Sequence, residues 1–536
     1  MMVLGIEGTA HTLGIGIIEN DKIRANIIKM YRPSKGGIHP REAAVHHYEN
    51  FIPALNEALK ISGIEIKDID LVSFSKGPGL GPCLRTVATA ARAISLKLNI
   101  PIIGVNHSIA HLEIGKFSTG AEDPVMAYLS GGNTQIISYS NGRYRVFGET
   151  LDIGIGNMLD KFAREAGIPF PGGPRIEELA RSGKKYLSLP YTVKGMDVAF
   201  SGILTAVLSY LKRGERIEDL SYSIQEIVFS MMAEVTERAL THLKKDEILI
   251  AGGVARNRRV QEIFRTLAEE RNIKFYVPPP DLCVDNGVMI AYLGKIMYES
   301  GIRMEIENTE IDQKFRVDSV DAAWVKGNMH YRAYDTMPGA EAKIEISRYL
   351  GMSSVKKIRI RKKYRIDEID EKIRKERIKR EAKIIHEAKK YYEFIPYIFD
   401  IDLDNGIIEM EYIGGKNLRE IYNNLHEDER KIIAEKVGII LSRLHHGKIS
   451  HGDMTTSNII YKDSNLYVID FSMGNLNAEI EDMSEDLHLL KESIRSSHSK
   501  FYSDFDIITE TYRKNFKHAE EVIENLKKIE MRRRYS

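Results

Sequence analysis

Two short hairpins of nearly the same design, set far apart in the chain, constrain the fold more than any other feature. The first runs from VLGI (residues 3–6) through the tip EGTA to LGIGII (13–18). The second runs from VMAYL (125–129) through SGGNT (130–134) to QIISY (135–139). Apolar, β-branched runs flanking a Gly-rich tip read as strand, turn, strand. Their repetition predicts a duplicated α/β domain whose two halves face each other across a cleft. Helical periodicity is expected over 41–60, 84–98, 176–181 and 220–243. A strand at 248–250 should run into AGGVA (251–255), a third Gly-rich turn that leads into a helix.

At 536 residues the chain is too long for one core. The α/β pattern breaks at KGNMHYRAYDTMP, so residues 1–325 are expected as one domain, 326–338 as a linker and 339–536 as a second domain. Short strands are expected at 343–346 and 355–360. The charged stretch 366–392 should form a solvated helix. The net charge is +1, and residues 326–536 carry 39 Lys/Arg against 37 Asp/Glu, so neither half is a polycation. Any RNA contact must therefore come from patches. Two stand out: KKIRIRKKYR (356–365), with seven basic residues and Tyr364 available to stack on bases, and the tail Arg532, Arg533 and Arg534. Two cysteines build neither a disulfide framework nor a Cys-rich zinc site. With no membrane-length apolar run and no export signal, a cytoplasmic protein without a membrane partner is expected.

Chemistry gathers at VNHSIAHLE, where His107 and His111 stand four residues apart. That spacing puts both imidazoles on one helical face, able to hold one metal ion. Backbone N–H groups in Gly-rich turns approach phosphate closely because no Cβ intervenes. The turns at residues 5–9, 130–134 and 251–257 have that form.

Three such turns in this order resemble the phosphate and adenosine loops of the actin, hexokinase and heat-shock-protein superfamily. Within it, the motifs LGIEGTA, SKGPGLGPCLR, VNHSIAHLE, YLSGGNTQI, DIGIGNMLDKFAR, FPGGPRIEELA, AFSGI, AGGVARN and PPPDLCVDNGVMIA resemble the catalytic subunit of the tRNA threonylcarbamoyltransferases of the KEOPS complex. That resemblance implies transfer of the threonylcarbamoyl group from threonylcarbamoyl-AMP to N6 of the adenosine 3′ to the anticodon, in tRNAs reading codons that begin with A. It implies His107, His111, Asp285 and the Tyr128 phenolate as ligands of iron or zinc. It also implies substrate or nucleotide contacts from Tyr128, Leu129, Ser130, Gly131, Gly132, Asp160, Gly173, Glu177 and Asn257, the carboxylates suiting ribose hydroxyls. Where hexokinases and actins place Asp for magnesium-bound water, this chain has Glu7, which favours acyl transfer over phosphate hydrolysis. A HxxxH pair without the Glu of HExxH lacks a metalloprotease's general base.

The sequence HGDMTTSN (451–458) matches the catalytic-loop spacing of kinases, and Asp470-Phe471-Ser472 stands where they carry DFG. In that scheme Asp453 accepts the hydroxyl proton, while Asn458 and Asp470 hold magnesium against ATP. There is no GxGxxG and no APE. The region resembles the small atypical RIO-like kinase of the same complex, with Gly339, Ala340, Glu341 and Ala342 over the nucleotide, Lys357 on its phosphates (Lys356 and Lys363 being the neighbouring alternatives) and Glu381 paired to that lysine. The expectation is an α/β chain: a duplicated actin/hexokinase-like domain followed by a small bilobal α+β protein-kinase-like domain. Implied partners are tRNA, the synthase that makes threonylcarbamoyl-AMP, and small KEOPS subunits for dimerisation and tRNA docking. The alternative is that the second domain is a non-phosphorylating scaffold that binds ATP and tRNA.

Overall fold

The computed structural model describes residues 1–33, 37–325 and 342–535, without side chains beyond 530. The expected linker (326–338) and the expected nucleotide contacts Gly339, Ala340 and Glu341 lie outside the described residues. The chain divides into two compact units. One is Met1–Met337 with Lys362–Ile366, and the other is Pro338–Arg361 with Asp367–Ser536.

The first unit opens with β1 (Met2–Glu7), β2 (Thr12–Glu19) and β3 (Lys22–Met30), an antiparallel meander. Then come α1 (Pro40–Ser62), β4 (Leu71–Gly77), α2 (Gly81–Leu98) and β5 (Ile102–Asn106). The sheet order is β3-β2-β1-β4-β5, with β4 and β5 parallel to β1. After α3 (His107–Thr119) the plan repeats: β6 (Val125–Leu129), β7 (Thr134–Ser140) and β8 (Arg143–Glu149) form a second meander. Helices α4 (Ile155–Glu165) and α5 (Gly172–Ala180) follow, then a small ribbon of β9 (Val193–Lys194) and β10 (Asp197–Val198). Next are α6 (Ser201–Lys212), α7 (Ile217–Leu243), β11 (Glu247–Ala251), α8 (Arg258–Arg271) and β12 (Lys274–Tyr276). The second sheet, β12-β11-β6-β7-β8, reproduces the first, with β11 parallel to both β6 and β12. The duplication expected from the two hairpins is present.

After α9 (Pro280–Cys283), α10 (Gly287–Glu299) crosses the first sheet at unusually short range. Gly5 and Gly16 are direct partners across β1 and β2. A Cβ on Gly16 would lie 2.2 Å from the Val288 amide nitrogen, and one on Gly287 2.0 Å from the Gly16 nitrogen. Only glycine permits that approach. Helices α3 and α10 thus share one apolar core with residues of both sheets, including Ile109, Leu112, Met126, Leu249, Val288 and Leu293.

The second unit begins with the hairpin β13 (Ala342–Tyr349) and β14 (Met352–Arg359), followed by α11 (Asp367–Ala388), β15 (Ile398–Asp402) and β16 (Ile407–Glu411). The sheet order is β13-β14-β16-β15. The expectation of a solvated α11 is corrected: Ile369, Ile373, Ile378, Glu381, Ile384 and Ile385 are buried along it. The helical lobe contains β17 (Lys416–Asn417), α12 (Leu418–Ile421), α13 (Glu427–His446), β18 (Ile449–Ser450), β19 (Ile459–Lys462), β20 (Asn465–Val468), β21 (Asn475–Leu476), α14 (Ile480–Ser497), α15 (Asp504–Asn515) and α16 (Ala519–Tyr535). Its core joins α13, α14 and α15 through residues such as Leu441, Leu487, Ile508 and Tyr512. This is the bilobal α+β arrangement expected.

Candidate functional site

Strand β5 ends at Asn106, whose side chain caps α3 by accepting the amides of Ser108 and Ile109 at 3.0 and 3.1 Å. The cap starts the helix at His107, and one turn later His111 follows on the same face. Asp285 arrives from the other end of the sequence, just before Asn286 caps α10. His111 Nε2 lies 3.2 Å and His107 Nε2 3.4 Å from the same Asp285 oxygen. The three ligand atoms fall within 4.8 Å of one another. The Tyr128 ring closes a third side, with its centroid 5.0 Å from that of His111. Two imidazole nitrogens and a carboxylate oxygen converging in a buried site fit a divalent transition metal such as iron or zinc.

The site concentrates opposite charges. Burial alone would raise the Asp285 carboxyl, but the two imidazoles override it and hold it well below the usual range. Burial disfavours charge on both histidines. At His111 it prevails and the pKa falls, whereas at His107 the surrounding acidic groups, Glu7 foremost, prevail and the pKa rises. Burial pushes Tyr128 up to about 12, so its phenolate would need a cation beside it.

Tyr128 and Leu129 end β6 and lead into the second Gly-rich turn. Ser130 folds that turn onto Asn133, its amide and hydroxyl meeting the Asn133 carbonyl at 3.0 and 2.9 Å. The first amides of α4 dock on it, Gly156 N donating to Ser130 O and Asn157 N to Gly131 O. The third turn abuts the second: Gly252 has φ +95°, and a Cβ there would lie 2.5 Å from Leu129 O. Asp160, one turn into α4, accepts the Gly172 amide at 2.8 Å, which ties α4 to the start of α5. Burial raises its carboxyl. Glu177 accepts the Arg258 amide at 3.1 Å, linking α5 to α8. Gly132, Gly173 and Gly253 have open space where a Cβ would stand, and Gly131 has only Asn157 Oδ1 at 3.3 Å. The Asn257 side chain starts α8. Its oxygen caps α8 through the Arg259 and Val260 amides, and its nitrogen donates to Gln225 at 2.6 Å.

In the second unit, Lys357 on β14 donates to Glu381 of α11 and to Asp470, both at 2.7 Å. Lys356, by contrast, is half-exposed, with Glu409 at 3.7 Å. Burial works against the Lys357 charge, but Glu381 and Asp470 raise its pKa, and Lys357 in turn holds the Asp470 carboxyl far down against burial. Ala342 pairs with Arg359 at the start of β13. Asn458 Nδ2 donates to Asp453 Oδ2 at 2.9 Å, and burial raises the Asp453 carboxyl. Two supports were not foreseen. Arg359 binds the other oxygen of Glu381 at 2.7 Å, and Asp486 on α14 accepts the amides of His451 and Gly452, each at 2.7 Å. Asp486 lies 35 residues beyond His451, and no local pattern links the two.

The basic run 356–365 requires a correction in part. Arg361 and Lys363 are exposed and Lys356 is half-exposed, but Lys357, Arg359, Lys362, Tyr364 and Arg365 are buried. Lys362, Tyr364 and Arg365 bond to Glu237 or Glu234 of α7 within the first unit. Tyr364 is 1% exposed and is closed off from stacking on a base.

A family model for tRNA N6-adenosine threonylcarbamoyltransferase matches residues 22–292, and one for the RIO domain matches residues 339–491. A protein of Thermoplasma volcanium, named a probable bifunctional tRNA threonylcarbamoyladenosine biosynthesis protein, is 50% identical over 536 residues, with the whole of both chains covered. Proteins of the same name from Thermoplasma acidophilum and Methanocaldococcus jannaschii are 50% and 47% identical, again over the whole of both chains. This chain belongs to that bifunctional family. Its first unit is the threonylcarbamoyltransferase domain, with an actin/hexokinase-like fold, and its second carries the RIO-type kinase-like domain. The family covers both folds already described. Among the described residues, no helix is long and apolar enough to cross a membrane.

Proposed function

We propose that the first unit transfers the threonylcarbamoyl group from threonylcarbamoyl-AMP to N6 of the adenosine 3′ to the anticodon, in tRNAs reading codons that begin with A. The observation that carries this reading is the convergence of His107, His111 and Asp285 beside Tyr128, which leads directly into the Gly-rich turn at residues 130–134. The amine attacks the carbamoyl carbon, the bond to the phosphate oxygen breaks, AMP leaves with the electron pair, and N6 gives up one proton. The open faces of Gly131, Gly132, Gly173 and Gly253 receive the adenylate backbone, and Asp160 and Glu177 accept ribose hydroxyls. His107, His111, Asp285 and Tyr128 hold iron or zinc, which when bound supplies Lewis-acid polarisation of an acyl oxygen.

The second unit binds ATP with magnesium through Lys357, Asn458 and Asp470, with Asp453 placed to accept a hydroxyl proton. The assembled Lys357–Glu381 pair supports phosphoryl transfer or ATP hydrolysis over a silent scaffold. That turnover regulates the transferase inside a KEOPS assembly in the cytoplasm, supplied by a separate adenylate synthase and docked to tRNA by small subunits. The tail arginines 532–534 remain the basic patch for tRNA. Purified chain, tRNA, threonylcarbamoyl-AMP and each partner subunit, assayed by nucleoside mass spectrometry, test the proposal. No modified adenosine under any combination would overturn it.

A further inference from the structure

Glu7 is completely buried at the end of β1, inside the first Gly-rich turn. Both of its oxygens are committed. Oε1 accepts the Thr9 amide at 2.7 Å and the Thr9 hydroxyl at 2.6 Å, while Oε2 faces His107 Nδ1 at 3.0 Å. A carboxylate so placed is not free to hold water on magnesium, the role its position has in a sugar kinase. It instead stands behind Nδ1 of His107, so that the opposite nitrogen of the same ring, Nε2, faces Asp285 at 3.4 Å. His111 differs: its Nδ1 has no hydrogen-bond partner among the described residues. One imidazole of the pair is therefore held at both ring nitrogens, by Glu7 and Asp285, and the other only at Nε2, by Asp285.

We infer that Glu7 is the positioning residue of the metal centre, holding His107 so that Nε2 presents itself as a ligand. A carboxylate behind a metal-bound imidazole orients the ring and raises its basicity. Glu7 also carries the first turn, because Thr9, which donates to it twice, accepts the Leu80 amide at 2.7 Å. One carboxylate thereby joins the geometry of a metal ligand to that of a phosphate-binding turn. The inference rests on the metal reading of His107, His111 and Asp285.

Zinc affinity of the metal-stripped full chain, measured by competition with a chromophoric chelator, tests it. Glu7→Ala should weaken zinc by about 10–100-fold, the usual cost of losing such a partner. Glu7→Gln keeps an oxygen acceptor without the charge and should recover part of that loss, and Thr9→Ala should cost less than either. A merely structural role for Glu7 would leave the visible spectrum of the cobalt-saturated protein unchanged, whereas a reoriented ligand shifts it. Wild-type affinity and spectrum in Glu7→Ala, with binding lost in His111→Ala, would overturn the role of Glu7 alone. Unchanged zinc binding in His111→Ala would overturn the metal reading and this inference with it.

Discussion

The glycine contact between α10 and the first sheet makes the strongest claim about how fold becomes site, and Gly16→Ala tests it. The added Cβ would stand 2.2 Å from the Val288 nitrogen and 2.3 Å from the Gly287 carbon, both backbone atoms. Neither can rotate away. Restoring an ordinary contact of 3.4 Å requires the helix to withdraw by about 1.2 Å. Overpacking of that kind costs about 1–3 kcal/mol, which a large domain survives. The metal site is far less tolerant. Asp285 sits two residues before Gly287, so it moves with the start of α10, whereas His107 and His111 are anchored on α3. Ligand distances must hold within about 0.2 Å, several times less than the displacement. Gly16→Ala should therefore remain folded, with a modestly lowered urea midpoint, yet lose most of its zinc affinity. Titration with zinc beside urea unfolding followed by circular dichroism measures both. Wild-type zinc affinity together with a wild-type midpoint would refute the argument that this glycine pair sets the position of Asp285.

Other outcomes follow from the same geometry. His107→Ala with His111→Ala should abolish bound metal and acyl transfer while leaving the circular dichroism spectrum intact. Asp453→Ala should remove ATP turnover, measured by phosphate release, without changing metal content. Glu381→Gln strips the charge from a carboxylate buried between Lys357 and Arg359. Breaking such a network costs about 3–5 kcal/mol, which scanning calorimetry should see as a lower transition of the kinase-like unit. Asp470 has a lowered carboxyl pKa despite its burial, because Lys357 stands beside it. Its contribution to stability is full above the ordinary carboxylate value of 3.8 and is lost as pH falls below that toward its lowered value. Asp470→Asn should therefore flatten the acid limb of the stability curve, read as unfolding midpoint against pH.

Much of this protein was legible because its chemistry is local. The two hairpin tips repeat within a few residues each, and an i, i+4 histidine pair needs only a helix to align it. What escaped was set by distant partners. Glu7 resembles a phosphate-loop acid until His107, a hundred residues on, takes up its second oxygen. Asp486, which holds the catalytic loop by two amides, sits in a helix whose charges look like an ordinary wet face.

The basic run 356–365 gives the general reason. Seven positive charges in ten residues suggest a polyanion partner only if the charges stay in water, and sequence does not say where a charge ends up. Along α7, Glu226, Glu234 and Glu237 are equally unpromising as core residues, yet all three are buried. Burying an isolated carboxylate is prohibitive, whereas burying one against a cation that is also hydrogen-bonded is tolerable. Glu237 meets Arg271 at 2.6 Å and Lys362 at 2.6 Å, and Glu234 meets Arg238 and Arg365. Lys362 and Arg365, two of the seven basic residues that resembled an RNA patch, are thus counter-charges that let α7 run through the interior. It follows that neutralising Lys362 and Arg365 together should act first on folding, by leaving Glu237 and Glu234 short of cations. An RNA-binding residue would behave in the opposite way. Its removal would lower the salt slope of binding by about 0.7–0.9 for each phosphate no longer neutralised, while leaving the melting transition in place. Measuring tRNA affinity across a salt series beside thermal unfolding separates the two. An unchanged melting transition with a shallower salt slope in the double variant would return these residues to the RNA surface.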